Sequence, residues 1–350
     1  MTRLTRFLAA TAAVCAIAPI AGAAYAGDKE ISRQNSFGGS CVKCELSGRN
    51  LSGARIIGAN FSGATLVGAI LRDAKFHASV FVGADLTKAD LSDSAMTGAN
   101  FSNANLTNAR LRSTEANGVV FGSANLTRAD LSDLEGTGAN FSRAILSGAI
   151  MKSASLRGAV FDSANLDRAT MSDVEATGAN FVRAHMNGTV LKSAELQGAS
   201  FARVDANGAT FQDADMTGAS LAGGDFSHAS FRSTDLTGAN LVGANFDGAD
   251  FRDADISRTM LIGVDLSGAR GLTQDQVDEA CADGRTKLPR GLVARGCVGS
   301  ARWIRGHDQP RVTIRMVPAV PAVPAVPASP APPAPPAPPA SPRYLITIPH

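Results

Sequence analysis

From Leu46 to Leu266 a large apolar residue recurs at every fifth position with few exceptions, and alanine usually stands two places before it. Ala129–Asp133 (ADLSD) and Ala139–Arg143 (ANFSR) are typical units. This period fits neither the 3.6 residues of a helical turn nor the two-residue alternation of a strand. It suits a short extended segment followed by a tight turn, repeated as an internal array. Glycine two places after the apolar centre, as at Gly98, Gly138, Gly148 and Gly178, enters such a turn at little cost. No proline occurs between Pro19 and Pro289, which suits a backbone whose N–H groups all serve ladders.

Phenylalanine sets the number of units per coil. Phe61, Phe81, Phe101, Phe121, Phe141, Phe161, Phe181 and Phe201 are spaced by 20. Four units per coil stack these rings on one inner face, with coils about 4.8 Å apart. Three or five units would scatter them among faces. Later aromatics change column, to Phe211, Phe231 and Phe251, and to Phe226 and Phe246. A slower rhythm is superimposed. TGANF recurs at Thr97–Phe101, Thr137–Phe141 and Thr177–Phe181, and Asn100, Asn140 and Asn180 alternate with Val80, Val120 and Val160. That is a two-coil module. The pattern predicts an all-β solenoid with four sides and about 11 coils, roughly 50–55 Å long. Aromatics make up only 5% of the chain and are nearly all Phe, so the core is narrow and repetitive.

These residues resemble the pentapeptide-repeat family, whose Ala-(Asp/Asn)-Leu-x-x pattern runs here from position 44 to 268. The resemblance implies a right-handed quadrilateral β-helix with the Leu/Phe and Ala side chains pointing inward. It implies no single activity, because a fold does not assign one. Some cytoplasmic members resemble duplex DNA and protect DNA gyrase from quinolones. Residues 45–270 carry 24 acids and 19 bases, interleaved, whereas a DNA mimic needs a largely one-signed surface. Such a gyrase-interacting role is the alternative to a structural one.

Outside the repeats the chain divides by composition. Residues 1–26 read as a cleaved secretory signal: Arg3 and Arg6, an apolar run from Phe7, and Ala24-Tyr25-Ala26 before Gly27. This expectation places the protein in the periplasm or outside the cell, with no membrane span after cleavage. Residues 27–44 form an N-terminal segment, 45–270 the β-helix, and 271–297 a C-terminal cap. Thr273 with Gln276 makes a capping box and Leu272 with Val277 a hydrophobic staple, predicting a short helix at about 274–282. Arg285–Leu292 (RTKLPRGL) resembles the C-terminal caps of exported family members. Residues 298–316 are basic; eight Lys/Arg and one Asp stand between Arg285 and Arg315. Residues 317–342 (VPAVPAVPAVPASPAPPAPPAPPASP) predict a polyproline II linker reaching about 80 Å. Residues 343–350 end in a β-prone tip, YLITI, suited to adding a strand to a partner sheet.

Four cysteines follow the signal: Cys41, Cys44, Cys281 and Cys297. Export favours disulfides. The solenoid separates the first two from the last two by about 50 Å, far beyond the 7 Å or so that a disulfide allows. The intrachain pairs are therefore Cys41–Cys44 and Cys281–Cys297, as staples at the two ends. The other readings are a CxxC thiol-redox site at Cys41-Val-Lys-Cys44 and free, metal-bound or intermolecular thiols. His77, His185 and His228 occupy different places in the unit and suggest no metal site. Serine and aspartate recur at repeat positions without a unique nucleophile–base pair. No cofactor and no enzymatic activity are expected.

Charge gives the clearest surface signal. Residues 20 apart stack, so Glu115, Glu135, Glu175, Glu195, Asp215, Asp235 and Asp255 form one outward column interrupted by Ser155. Arg112, Lys152, Lys192 and Arg232 lie beside it and are expected to neutralise part of it. The functional reading is a docking stripe for a basic partner or for the chain's own basic segment. A protein partner at the cell envelope is expected, and nucleic acid is not. A homodimer is compatible with the pattern, but no feature specifies one.

Overall fold

The period of five leaves each unit with five backbone N–H groups to satisfy; the ladder takes three of them and the turn a fourth. In the computed structural model, which describes residues 39–294 and 296, the unit Asn60–Ala64 shows how. Asn60 N donates back to Gly39 O at 3.0 Å, while Phe61 N and Gly63 N donate forward to Val80 O at 2.7 Å and Val82 O at 2.9 Å. Ala64 N closes the turn on Phe61 O at 3.0 Å. The fifth, Ser62 N, donates to the Asn60 side chain at 2.9 Å. Hence the Asn/Asp before each centre is a turn device, completing what the ladder leaves open.

Repetition of this unit builds the coil. Parallel bridges join residue i to residue i+20 from Ser40 to Arg270, four bridges to a coil. The four-sided coil expected from the Phe spacing is the one observed. Turn residues two places after the centres have positive φ up to Gly263, such as Gly138 at 66° and Arg143 at 58°. Non-glycine residues hold this left-handed conformation in many turns because ladder bonds on both sides fix it.

Two inward residues per unit form the core. Centre and alanine positions are buried from Ile56 to Ala269, and the Phe column stacks from Phe61 to Phe201 with ring centroids 4.7–5.3 Å apart. At Phe201 the stack hands over edge-on to Phe211 at 5.7 Å, beginning the second column through Phe231 and Phe251. The exceptions to the repeat are compensated in volume. Where the centre shrinks to Ala116, Gly136, Ala176 or Ala206, the alanine position enlarges to Thr114, Leu134, Val174 or Val204, each buried. Packing at near-crystalline density explains why the two positions change together. Buried hydroxyls at alanine positions, Ser94 excepted, reach a carbonyl of the previous coil: Thr189 Oγ1 donates to Leu166 O at 2.8 Å and Thr234 Oγ1 to Phe211 O at 2.8 Å.

The cap differs from the helix expected at 274–282. The helix, α1, is Gln274–Glu279. Its capping box is present: Thr273 accepts from Gln276 N, and the Gln276 side chain accepts from Thr273 N. Ala280 is extended and ends it, after which Cys281 pairs with Met260 and Lys287 with Asp265. Leu261 N and Leu266 N still need acceptors, and the chain supplies Cys281 O and Lys287 O. Gln276 also donates to Phe251 O at 3.2 Å and Ala254 O at 2.7 Å, closing the Ala254 carbonyl that α1 leaves without a ladder partner. Residues 1–38, Cys297 and the segments 298–316, 317–342 and 343–350 lie outside the described residues.

Candidate functional site

The acidic column is continuous in space. Bridges run Glu115–Glu135–Ser155–Glu175–Glu195–Asp215–Asp235–Asp255, so these side chains leave one face in successive coils. The column has two chemically different halves. In the aspartate half each carboxylate serves its own turn: Asp215 accepts from Thr217 N at 3.0 Å, Asp235 from Thr237 N at 2.8 Å and Asp255 from Ser257 N at 2.8 Å. Burial pushes the Asp215 carboxyl up, but hydrogen bonds from Thr217 and Gln197 outweigh it and leave it below the usual range. Hydrogen bonds from Ser257 hold Asp255 low as well. A glutamate can make the same bond, as Glu45 does in accepting from Ser47 N at 2.8 Å, but Glu115, Glu135 and Glu195 are exposed and project instead.

Neutralisation differs from the sequence expectation. Arg112 reaches Asp130 at 3.8 Å and Lys192 reaches Asp213 at 3.8 Å, both off the column. The column's ion pair among the described residues is Glu175 with Arg157 at 2.7 Å. Arg157 precedes Glu175 by 18 positions, one coil less a turn, and that spacing is the signal that sequence reasoning passed over. Both partners are largely exposed, so the pair contributes little stability. Glu115, Glu135 and Glu195 form no ion pair among the described residues.

The cysteines sit at the ends. Cys41 and Cys44 are disulfide-bonded with Cα atoms 5.3 Å apart. Cys41 takes a centre position in the Phe61 column and Cys44 the following alanine position, and Cys44 is 4% exposed. Two inward positions flanking one turn are three residues apart, which is why a CxxC spacing closes here without a helix. Cys281 is also disulfide-bonded; Cys297, its expected partner, lies outside the described residues. No group of three or more His, Cys, Asp or Glu that could hold a metal occurs among the described residues.

The match to known proteins follows the same coils. The family described as "Pentapeptide repeats (8 copies)" matches residues 44–268 in overlapping segments. The chain belongs to the pentapeptide-repeat family. Solved structures similar to this pentapeptide-repeat protein include HetL, a protein involved in heterocyst differentiation regulation from the cyanobacterium Nostoc. It is 32% identical, with 61% of this chain and 90% of HetL covered and a TM-score of 0.34. Full-length QnrB1, a plasmid-mediated fluoroquinolone resistance protein, is 22% identical over 57% of this chain and 90% of its own, with a TM-score of 0.23. Rfr23 from the cyanobacterium Cyanothece 51142 is 24% identical over 39% of this chain and 85% of its own, with a TM-score of 0.18. No curated protein matches.

Proposed function

We propose that this pentapeptide-repeat protein is an exported, non-enzymatic rod that presents fixed binding faces in the periplasm or at the cell envelope, tethered through its Pro/Ala-rich C-terminal segment. The observation that carries the reading is the unbroken 20-residue register from Ser40 to Arg270. It commits every inward position to packing and leaves all charged groups in outward columns of fixed spacing. A ladder that bonds three N–H groups in each unit is rigid, and a rigid array loses little entropy when a partner docks. The projecting glutamates at 115, 135, 175 and 195 are the preferred docking stripe for a basic protein partner. Disulfides at both ends of the repeat agree with an oxidising compartment.

Cell fractionation with N-terminal sequencing tests the placement. Mature protein beginning at Gly27 in the periplasmic fraction is expected; cytoplasmic protein beginning at Met1 overturns it and favours the gyrase-directed alternative. Replacing Glu115, Glu135, Glu175 and Glu195 with Gln should remove partners recovered by crosslinking in intact cells. An unchanged set of partners would reduce the stripe to a solvated face.

A further inference from the structure

One corner of the rod carries a gap in its hydrogen-bond pattern. Along it, the first turn residue of most coils gives its outward N–H to a side-chain acceptor. Thr107, Thr127 and Asp167 donate to Asn105, Asn125 and Asn165. Asn187 and Asn207 donate instead to Asp167 and Asn187 of the preceding coil. Ser227, Asp247 and Ser267 return to the first pattern. Val67, flanked by Gly48 and Lys88 in the adjacent coils, and Ser147 break the series, and only Ser147 lies between two arginines. Ile145, 44% exposed, stands where Asn125 and Asn165 stand in the adjacent coils. Among the described residues the Ser147 N–H has no acceptor.

The same coil places Gly148 next to it, while the coils before and after place Arg128 and Arg168 there. The result is a half-open cavity of about 410 Å³ lined by both arginines, Ser147, Gly148, Asp167 and Asn187. The Arg128 stem lies across the glycine, since a Cβ on Gly148 would sit 3.6 Å from Arg128 Cγ. The ion pairs among the described residues involve neither arginine. Asp167 is the one acid on the walls, and its Oδ1 accepts from Asn187 N at 2.9 Å. Two guanidinium groups against one occupied carboxylate leave the walls net positive. An outward N–H between two cations is a donor set for an oxyanion, and charge-assisted bonds of this kind are the strong ones.

We propose that this corner binds a phosphate group, with Arg128 and Arg168 on its flanks and the Ser147 N–H beneath it. The phosphate is either free or carried on a lipid headgroup. The inference stands on this corner alone and does not depend on where in the cell the rod resides.

The test uses the full chain at low chloride in two arms, titration with inorganic phosphate by calorimetry and co-sedimentation with phosphatidylglycerol vesicles. Arg128→Gln and Arg168→Gln should each weaken binding about tenfold, the loss of one charge-assisted bond. Ile145→Asn is the sharper variant. It restores the acceptor that the neighbouring coils possess, so it should leave the melting temperature unchanged or higher while weakening binding by a similar factor. Asp167→Asn should strengthen binding. Phosphate binding identifies the free ion as sufficient, and vesicle binding alone identifies the headgroup; both support the site. Wild type failing in both arms at millimolar phosphate would overturn it. So would Ile145→Asn binding as wild type in whichever arm is positive.

Discussion

Gly136 is the most irregular point of the core, and it makes a quantitative prediction. A Cβ on Gly136 would lie 2.7 Å from Leu134 Cδ2 and 3.1 Å from Leu156 Cδ2. Leu134, fully buried, therefore occupies the room that a centre side chain fills in other units. Leu134→Ala removes three carbons where the neighbouring centre has no side chain to relax inward. The transfer loss is about 2.4 kcal/mol at about 0.8 per methylene, and the residual cavity raises the expected cost to about 3–4 kcal/mol. Gly136→Leu alone overpacks the same space and should cost about 1–3 kcal/mol. Together they recreate the Ala-x-Leu arrangement of Ala154 and Leu156, and Gly136 is not at positive φ. The double variant should recover most of the loss, giving an interaction of at least about 2 kcal/mol. Urea unfolding of the four proteins, with hydrogen exchange on the coils around residues 116–156, measures it. If the double variant is no more stable than Leu134→Ala, the compensation argument is wrong.

The remaining predictions concern turns and ends. Asn140→Ala deprives Ser142 N of its acceptor at 2.9 Å and should cost about 1 kcal/mol in the same unfolding assay; Asn140→Asp, which keeps the acceptor, should cost clearly less. Gln276→Ala removes the capping box and the bonds to Phe251 O and Ala254 O. It should raise amide exchange across residues 273–287 while the coils before residue 231 stay protected; uniform loss of protection would mean that the cap controls the whole rod. The Lys287 ammonium holds Asp265 down to about 2, and the Arg285 guanidinium does the same for Asp283. A folded value below the unfolded one, about 3.9, gives stabilisation that is present above that pH and lost as pH falls toward 2. Asp265→Asn and Asp283→Asn should therefore lower the melting temperature at pH 5 but not at pH 2, and an equal difference at both would refute the assignment.

Much of this was legible from spacing. A centre every five residues and a Phe every 20 specify units and coils, because stacking identical coils demands identical phase, and the Phe column follows directly. The acidic column was legible for the same reason. The Thr273–Gln276 capping box could be read locally because its two bonds lie within one turn. The length of α1 could not, since it ends where the ladder reclaims the chain at Cys281.

Spacing along the chain therefore settles what is periodic: the repeat, the coil, the columns and the family. How individual side chains spend their bonds is settled only in the folded coils. The aspartates at 215, 235 and 255 turn back onto their own backbone while the glutamates project, although both look alike in the column. Arg157, not Arg112 or Lys192, meets the stripe, because reach and corner geometry rather than proximity in the pattern select the partner. Ile145 reads as an ordinary substitution until its absent acceptor is set between Arg128 and Arg168. Periodicity places residues, but hydrogen-bond satisfaction is settled atom by atom in three dimensions.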